Sequence, residues 1–341
     1  MKQAKTGVLF QAIPEINGYH CAPQKLGPPT IVTPNYTILT NVMKQELVES
    51  SKTLWFPGMA DVPFRNVGWL VNMCADGDEY FNSLSSIAAG LEGKKVPVFN
   101  HPKYVLDTRR DIIGTKLQGI KGLTVPKCVR FSPALPADFR QAFEENEFEY
   151  PVLVRPVASQ TGRDLILIEN AEDWDKIFAI PWGGKQLYMT QFVDFSHGEN
   201  DWIKIRLSVT SDNIRIRHTI LGNSWLLHGF ERTGDIVDRE MTYTLHLDKF
   251  PELMRVGEEI RKRVPLDYFG IDLGFKSEEE FVLFEANPAM SILSGGNTPK
   301  YRRQDYLKVI RTIEQDVWDQ LIKVTGLPLS RAKGKIPSMP Q

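Results

Sequence analysis

The sequence predicts an α/β (α+β) chain of two or three domains, and three observations carry that reading. Strand-like apolar runs alternate with helix-period stretches over residues 1–102. A β-rich segment follows over 127–191. Towards the C-terminus, 268–290 reads as a β-hairpin with two carboxylates and a carboxamide on one face. A length of 341 residues is enough for each of two or three domains to bury its own core.

In the first part, 8–10, 30–32, 54–56 and 68–71 are short apolar runs ended by Pro, Gly or Asn, as buried strands are. A helix over 78–91 has Phe81, Leu84, Ile87, Ala88 and Leu91 on one face, and Gly93 suits its C-cap. The strand 96–99 completes a mostly parallel sheet. Asn72 and His101, at strand ends, are expected to face a shared cleft.

The next helix is predicted over 107–120, opened by Asp107 or Thr108, with Arg109 and Arg110 near its first turn. In the β-rich segment, the strand 152–156 ends in the cation Arg155. The loop 157–164 that follows can turn backbone N–H groups towards phosphates. A helix over 171–179 and a strand over 186–192 complete this lobe. Beyond it come strands over 203–209 and 214–221, with Lys204 and Arg206 on one side of the first. Helices are predicted over 251–264 and 303–323, and 325–341 is expected to trail off as a tail.

Two stretches of period-2 alternation, 269–275 and 281–286, define the hairpin. A four-residue loop over 277–280 places Lys276 opposite Phe281 and, counting back, Asp272 opposite Glu285. One face then carries Phe269, Ile271, Leu273 and Phe275 beside Val282, Phe284 and Ala286. The other carries Gly270, Asp272 and Gly274 beside Leu283, Glu285 and Asn287, so two glycines are expected to clear space around the acids. Oxygen donors on a rigid hairpin suit Mg²⁺. A solvated face is the competing explanation, and it gives no reason for paired glycines among Asp, Glu and Asn.

Charge and cysteine content narrow the function. Lys and Arg number 41 against 42 Asp and Glu, a formal net charge of −1, so no global field attracts nucleic acid or an anionic membrane. Cys21, Cys74 and Cys128 form no metal or redox spacing and read as reduced thiols of a cytoplasmic protein. The first ten residues lack a secretory-leader pattern, and no run approaches the roughly 18 apolar residues of a membrane span.

Asp272, Glu285 and Asn287, separated by 13 and 2 residues and followed by Pro288, resemble the metal-binding pattern of the ATP-grasp superfamily. The resemblance extends over about 97–322 and is to its glutathione synthetase-like, D-alanine–D-alanine ligase-like and ribosomal-protein glutamate ligase-like members. It implies two α+β lobes clamping ATP, preceded by an α/β domain. The implied division is 1–102, a small lobe over 103–190, a large lobe over 191–324, and the tail. It also implies ATP and Mg²⁺ as cofactors, two ions bridged by the glutamate, with Mn²⁺ able to substitute.

Residue by residue, the resemblance makes Arg155 a phosphate cation where the family usually has Lys, which exchanges a point charge for a planar fork. Arg110 is the implied first phosphate cation, with Lys116 in reserve. Gln191, Phe192 and Val193 fall in the connector that reads adenine. Lys204 and Arg206 occupy an Asp-x-Arg position, which assigns Arg206 to the reacting phosphate. Lys204 departs from the acid, leaving the ribose contact to Asp194, Glu199 or Asp201.

The activity so implied is a carboxylate–amine or peptide ligase that works through an acyl phosphate and forms an amide bond. A small-molecule kinase and a non-catalytic ATP-binding protein are the alternatives. Arg217 (or Arg215), His218, Trp225, His228 and the segment 291–297, with Ser294 and Gly295, are the candidates for the acceptor side. Small-molecule or peptide substrates are expected, with neither nucleic acid nor membrane as partner, and relatives make a homo-oligomer the expectation.

Overall fold

In the computed structural model, residues 6–17, 20–22, 30–32, 39–57, 66–160, 162–197, 201–227, 234–246, 250–290 and 304–327 are described. The first part holds β1 (Thr6–Ala12), β2 (His20–Ala22), β3 (Thr30–Val32), α1 (Asn41–Glu49), β4 (Ser51–Phe56), β5 (Val67–Asn72), α2 (Phe81–Leu91) and β6 (Val98–Phe99). β4, β1, β5 and β6 form a parallel sheet in that order. The predicted strand 30–32 is β3, but it pairs antiparallel with β2 and stays outside this sheet. An apolar triplet alone does not say which edge it joins. Leu84, Ile87 and Leu91 seat α2 against the sheet.

Two short helices, α3 (Pro102–Leu106) and α4 (Arg110–Leu117), replace the single helix predicted over 107–120. Arg109, with an extended ψ of 142°, caps α4 and breaks the run. Ile113 and Leu117 of α4 bury in the large core, and β7 (Leu123–Thr124) pairs parallel with β16 (Phe281–Asn287). The large sheet therefore takes in the chain as far as Thr124, and the small lobe's own sheet begins at Cys128.

That small sheet orders β10 (Ile166–Ile168), β9 (Val152–Pro156), β11 (Leu187–Gln191) and β8 (Cys128–Phe131). Alternation sends Val152, Val154, Leu187 and Met189 to one face, where α5 (Ala137–Glu145) and a 3₁₀ helix (Ala171–Ala179) cover them. The opposite face is left with the cross-strand rows Arg155–Tyr188–Arg130 and Leu153–Thr190–Cys128.

The large sheet runs β12 (Ser196–His197), β13 (Asp201–Thr210), β15 (Tyr268–Phe275), β16 and β7, with β14 (Ile214–Gly222) also on β13. Ile203, Ile205, Leu207, Ile271 and Leu273 face a core shared with α7 (Pro251–Arg263), while α6 (Gly234–His246) packs on β14. Val317, Trp318 and Leu321 of α8 (Gln304–Thr325) pack with Leu9, Trp69 and Val71 of the first sheet.

Asn100 joins the two sheets. Its Nδ2 donates to the Tyr268 carbonyl (2.8 Å), its Oδ1 accepts from Tyr268 N–H (2.9 Å), and its carbonyl accepts from Asn72 Nδ2 (2.9 Å). Asn72 is accordingly fully buried in this joint and does not face a cleft. His101 caps α3, its Nδ1 accepting from Lys103 N–H at 3.2 Å. Among the described residues, no helix is long and apolar enough to cross a membrane.

Candidate active site

Asp272 pairs with Glu285 in the β15–β16 hairpin, in the register the alternation predicts. The tip differs. Phe275, not Lys276, lies opposite Phe281, and a bulge at Phe284 restores the register between Leu273 and Asp272. The bulge turns Leu283 into the core and Phe284 out of it, reversing the faces predicted for both. Phe284 lies 4.8 Å from the Phe195 ring, and a Cβ on Gly274 would come within 2.8 Å of both rings. Gly274 thus makes room for aromatic rings, and Gly270 for Met290, not for the open space expected around the acids.

Pairing across four strands sets Glu285, Asp272, Arg206 and His218 in one row. Arg206 meets Asp272 as a two-pronged fork, and its Nη2 is also 3.9 Å from Glu285 Oε1. Lys204 Nζ lies 3.7 Å from Asp272. Arg110 Nη2 pairs with Glu285, and its Nη1 donates to the Phe284 carbonyl (2.7 Å). Asn287 Nδ2 donates to Glu285 Oε1 at 3.1 Å. From the small lobe, Arg155 gives two of its donors to Ser159 and stands close enough to Glu285 to feel its charge. Four cations thus face Asp272 and Glu285, and even with Asp76 acting on Arg110 and Arg155 at longer range the cluster keeps a positive surplus.

That surplus shapes the titrations. Burial would raise the Glu285 carboxyl, but Arg110, then Arg206 and Arg155, outweigh it and hold the group at about 2. Burial, then the like charge of Arg110, push the Arg155 guanidinium down to about 9. This is a cation desolvated without a carboxylate of its own. Its environment favours an incoming anion.

Because Glu285 falls from its ordinary 4.5 to about 2, its contribution to stability is full above 4.5 and lost as pH drops towards 2. The expected loss is about 3 kcal/mol. About 2 kcal/mol of it is lost between pH 6 and pH 3, where urea unfolding of the wild type should show it, and Glu285→Gln should remove that part.

A third wall comes from the first domain. The turn after β5 brings Asp76, Gly77 and Asp78 beside Thr108, Arg109, Arg110, Gln160, Glu285 and Asn287 around an open cleft. Gly77 is required there, since a Cβ would lie 2.9 Å from the Val105 carbonyl. Arg130 pairs with Asp78 and, at 3.0 Å, with Asp111, while Tyr188 Oη donates to Asp78 at 2.6 Å. Asp76, Asp78, Arg130 and Tyr188 were not among the residues the sequence singled out. The signal for the acids was an acidic run just past the carboxyl end of a strand, where α/β sheets bind ligands.

No protein-family model and no curated protein matches the sequence. Solved structures do. The chain aligns with the RimK domain ATP-grasp protein of Sphaerobacter thermophilus at 12% identity and TM-score 0.48, over 92% of this chain and 99% of the other. D-alanine–D-alanine ligase of Bacillus anthracis aligns at 11% identity and TM-score 0.48, over 94% and 97%. The ATP-grasp ligase PsnB, solved with precursor peptide PsnA2 and AMPPNP, aligns at 12% and 0.44, over 93% and 99%. The chain is similar to ATP-grasp proteins over most of its length.

Arg110, Arg155, Lys204, Arg206, Asp272, Glu285 and Asn287 gather at one place. Among the described residues, no group of three or more His, Cys, Asp or Glu side chains is placed to hold a metal ion, and Asn287 Oδ1 accepts from Ala289 N–H at 2.8 Å. Of the substrate candidates, His218 ends the Glu285–Asp272–Arg206 row. Arg217 is the extra residue of a β14 bulge, buried, with a guanidinium N–H on His218 Nδ1.

Other predicted residues are engaged elsewhere. Lys116 pairs with Asp107 at 2.6 Å and joins none of the clustered groups. Gln191 spends its carboxamide inside the small lobe, donating to the Glu149 (2.8 Å) and Pro151 (3.1 Å) carbonyls and accepting from Glu149 N–H. Its side chain is therefore not directed at a ligand. Phe192 N–H donates to the Pro151 carbonyl, and its ring lies near Trp202 and Trp225. Val193 is half-buried in the connector. Asp194 is exposed and accepts from Ser196 N–H, and Asp201 pairs with Arg239 at 3.1 Å. Glu199, His228, Ser294 and Gly295 lie outside the described residues, as does the predicted tail beyond 327.

Proposed function

We propose that the chain is an ATP-dependent carboxylate–amine or peptide ligase, and that Mg²⁺ accompanies the nucleotide. One observation carries this reading. Asp272, Glu285 and Asn287 converge from one hairpin at a point ringed by Arg110, Arg155, Lys204 and Arg206.

The donor set fits Mg²⁺. Asp272 and Glu285 offer carboxylate oxygens, Asn287 would add its amide oxygen by turning it from Ala289 N–H, and the space between the two acids already holds a positive group, Arg206 Nη2. Asp272, Glu285 and Asn287 would hold the metal, which when bound neutralises phosphate charge. Arg206, Lys204 and Arg110 then exchange carboxylate partners for phosphate oxygens. Arg155 needs no such exchange, because it has no carboxylate of its own. Positioning and charge stabilisation of this kind are what phosphoryl transfer asks of a protein.

In the ligase reaction a substrate carboxylate oxygen attacks the γ-phosphorus, the bond to ADP breaks, and an acyl phosphate forms. An amine nitrogen then attacks the acyl carbon, phosphate leaves and the amine loses a proton. No side chain becomes covalently attached in this reaction.

Tracing label from γ-³²P-ATP across a panel of carboxylate and amine substrates tests the reading. A ligase releases free phosphate in step with ADP. A phosphorylated product would make the chain a kinase instead, and no Mg²⁺-dependent ADP under any condition would make it a nucleotide-binding protein.

A further inference from the structure

Three elements of the small lobe reach the first domain at one place, the turn after β5. Asp78 receives the first two. Arg130 of β8 pairs with it, and Tyr188 Oη of β11 donates to it at 2.6 Å. The Arg130 guanidinium also lies over the Tyr188 ring, 5.0 Å from its centroid, so the two side chains meet Asp78 as one unit. The third element is the loop after β9. Gln160 Nε2 donates to Asp76 Oδ2 at 3.1 Å, and Asn17 Nδ2 donates to the Ala158 carbonyl at 3.1 Å.

The turn is itself fixed on its own side. Asp76 Oδ1 accepts from Asp78 N–H (2.8 Å) and Glu79 N–H (3.0 Å). Glu79 Oε1 accepts from Ile16 N–H (2.9 Å) and Asn17 N–H (2.8 Å), which holds Asn17 against the loop. Across the contact, Ala158 has a φ of 58°, in the left-handed region that favours glycine. A residue with a side chain stays there only where its surroundings fix it, and the bond from Asn17 is one such constraint. Ala158 precedes Ser159, whose Oγ and carbonyl take two donors of Arg155. The contact with the first domain therefore reaches the phosphate cation through one loop.

We propose that the turn over 76–79 is a clasp on the small lobe: Asp78 holds its sheet through Arg130 and Tyr188, Asp76 and Asn17 hold its loop, and together they keep Arg155 close to Glu285. Asp78 and Tyr188 are positioning residues, acting on a bound polyphosphate through Ser159 and Arg155. With the clasp released, the lobe moves away from the hairpin and the nucleotide leaves faster. That effect rests on the nucleotide site of the ligase reading, whereas the clasp itself does not. Its sign is diagnostic. Removing a negative charge near a polyphosphate would by itself strengthen binding, so faster release on loss of the Asp78 charge runs against the direct charge effect.

Two measurements on the full chain test the clasp: hydrogen exchange without nucleotide, and the release rate of a fluorescent AMPPNP derivative with Mg²⁺ present. Asp78→Asn keeps an oxygen for Tyr188 and removes the charge that holds Arg130. Exchange over 153–160 should quicken by about tenfold or more, with β1, β5 and β15 unchanged, and release should quicken by a similar factor. Tyr188→Phe deletes one oxygen from the other side of the contact and should act in the same direction. The two substitutions together should do less than the product of their separate effects. Asp78→Glu should recover part of the wild-type behaviour. Unchanged exchange over 153–160 in both single variants, or slower release from Asp78→Asn, overturns the proposal. Faster exchange spread equally over every sheet also overturns it, making Asp78 a residue of general stability. A wild type that binds no nucleotide would count against the ligase reading, and the exchange result would still decide the clasp.

Discussion

Glu285→Gln is expected to lower Mg²⁺-dependent ADP release by at least about a thousandfold while the chain still folds. A glutamine keeps the shape and one oxygen but removes the charge that balances Arg110 and Arg206. Removing one partner of a buried ion pair strands the other, at a cost of about 3–5 kcal/mol. Part of that is recovered here, because Arg206 keeps its fork on Asp272 and Arg110 its bond to the Phe284 carbonyl. The stability loss near neutral pH should therefore match the acid-sensitive part of the wild type, about 3 kcal/mol. Steady-state ADP release and urea unfolding check the two halves. Retained turnover in a folded variant would remove Glu285 from the metal assignment.

Arg155→Met should act in opposite directions on stability and on binding. The guanidinium is buried beside Arg110, a like charge, and Ser159 supplies its hydrogen bonds. Exchanging a poorly compensated buried cation for an apolar side chain of similar length is expected to leave stability unchanged or increase it. Nucleotide affinity should nevertheless fall by about 10- to 100-fold, the value of one charge-assisted hydrogen bond to phosphate. Thermal unfolding without ligand and calorimetric titration with ATP separate the two effects. A variant both less stable and equal in ATP affinity would make Arg155 a structural residue.

The centre of the site was legible because a period of two leaves little freedom. Once Phe269, Ile271 and Leu273 are assigned to a core, Asp272 must face the other way. Glu285 lies beside it as expected because the bulge at Phe284 offsets a tip one residue longer than predicted. What the pattern missed was the bulge at Phe284. One extra residue shifted the tip and sent Phe284 to the side of Phe195, and a bulge has no signature in alternation. The small lobe's Arg155 was visible as a cation ending an apolar strand. Its neighbours Tyr188 and Arg130 were not, because they meet Asp78 across 110 and 52 positions of chain.

The expected role of the Gln191 side chain failed for a related reason. A polar residue in a connector looks available in sequence, yet the Glu149 and Pro151 carbonyls lie within its reach. Similarly, Thr30–Val32 has the composition of a buried strand and pairs instead with His20–Ala22. Helices α1 and α5 span only nine residues each, so Met43 and Leu47 in the first and Phe139 and Ala142 in the second repeat too few times to define a helical period.

In the proposed ligase, a positive charge takes the arginines' place between the two carboxylates when these turn to phosphate. Calorimetric titration of the wild type with ATP, with and without Mg²⁺, tests this most directly. Binding at one site per chain, at least tenfold tighter with Mg²⁺ present, is the expected result. ATP binding that is absent, or equally strong without the metal, would contradict it.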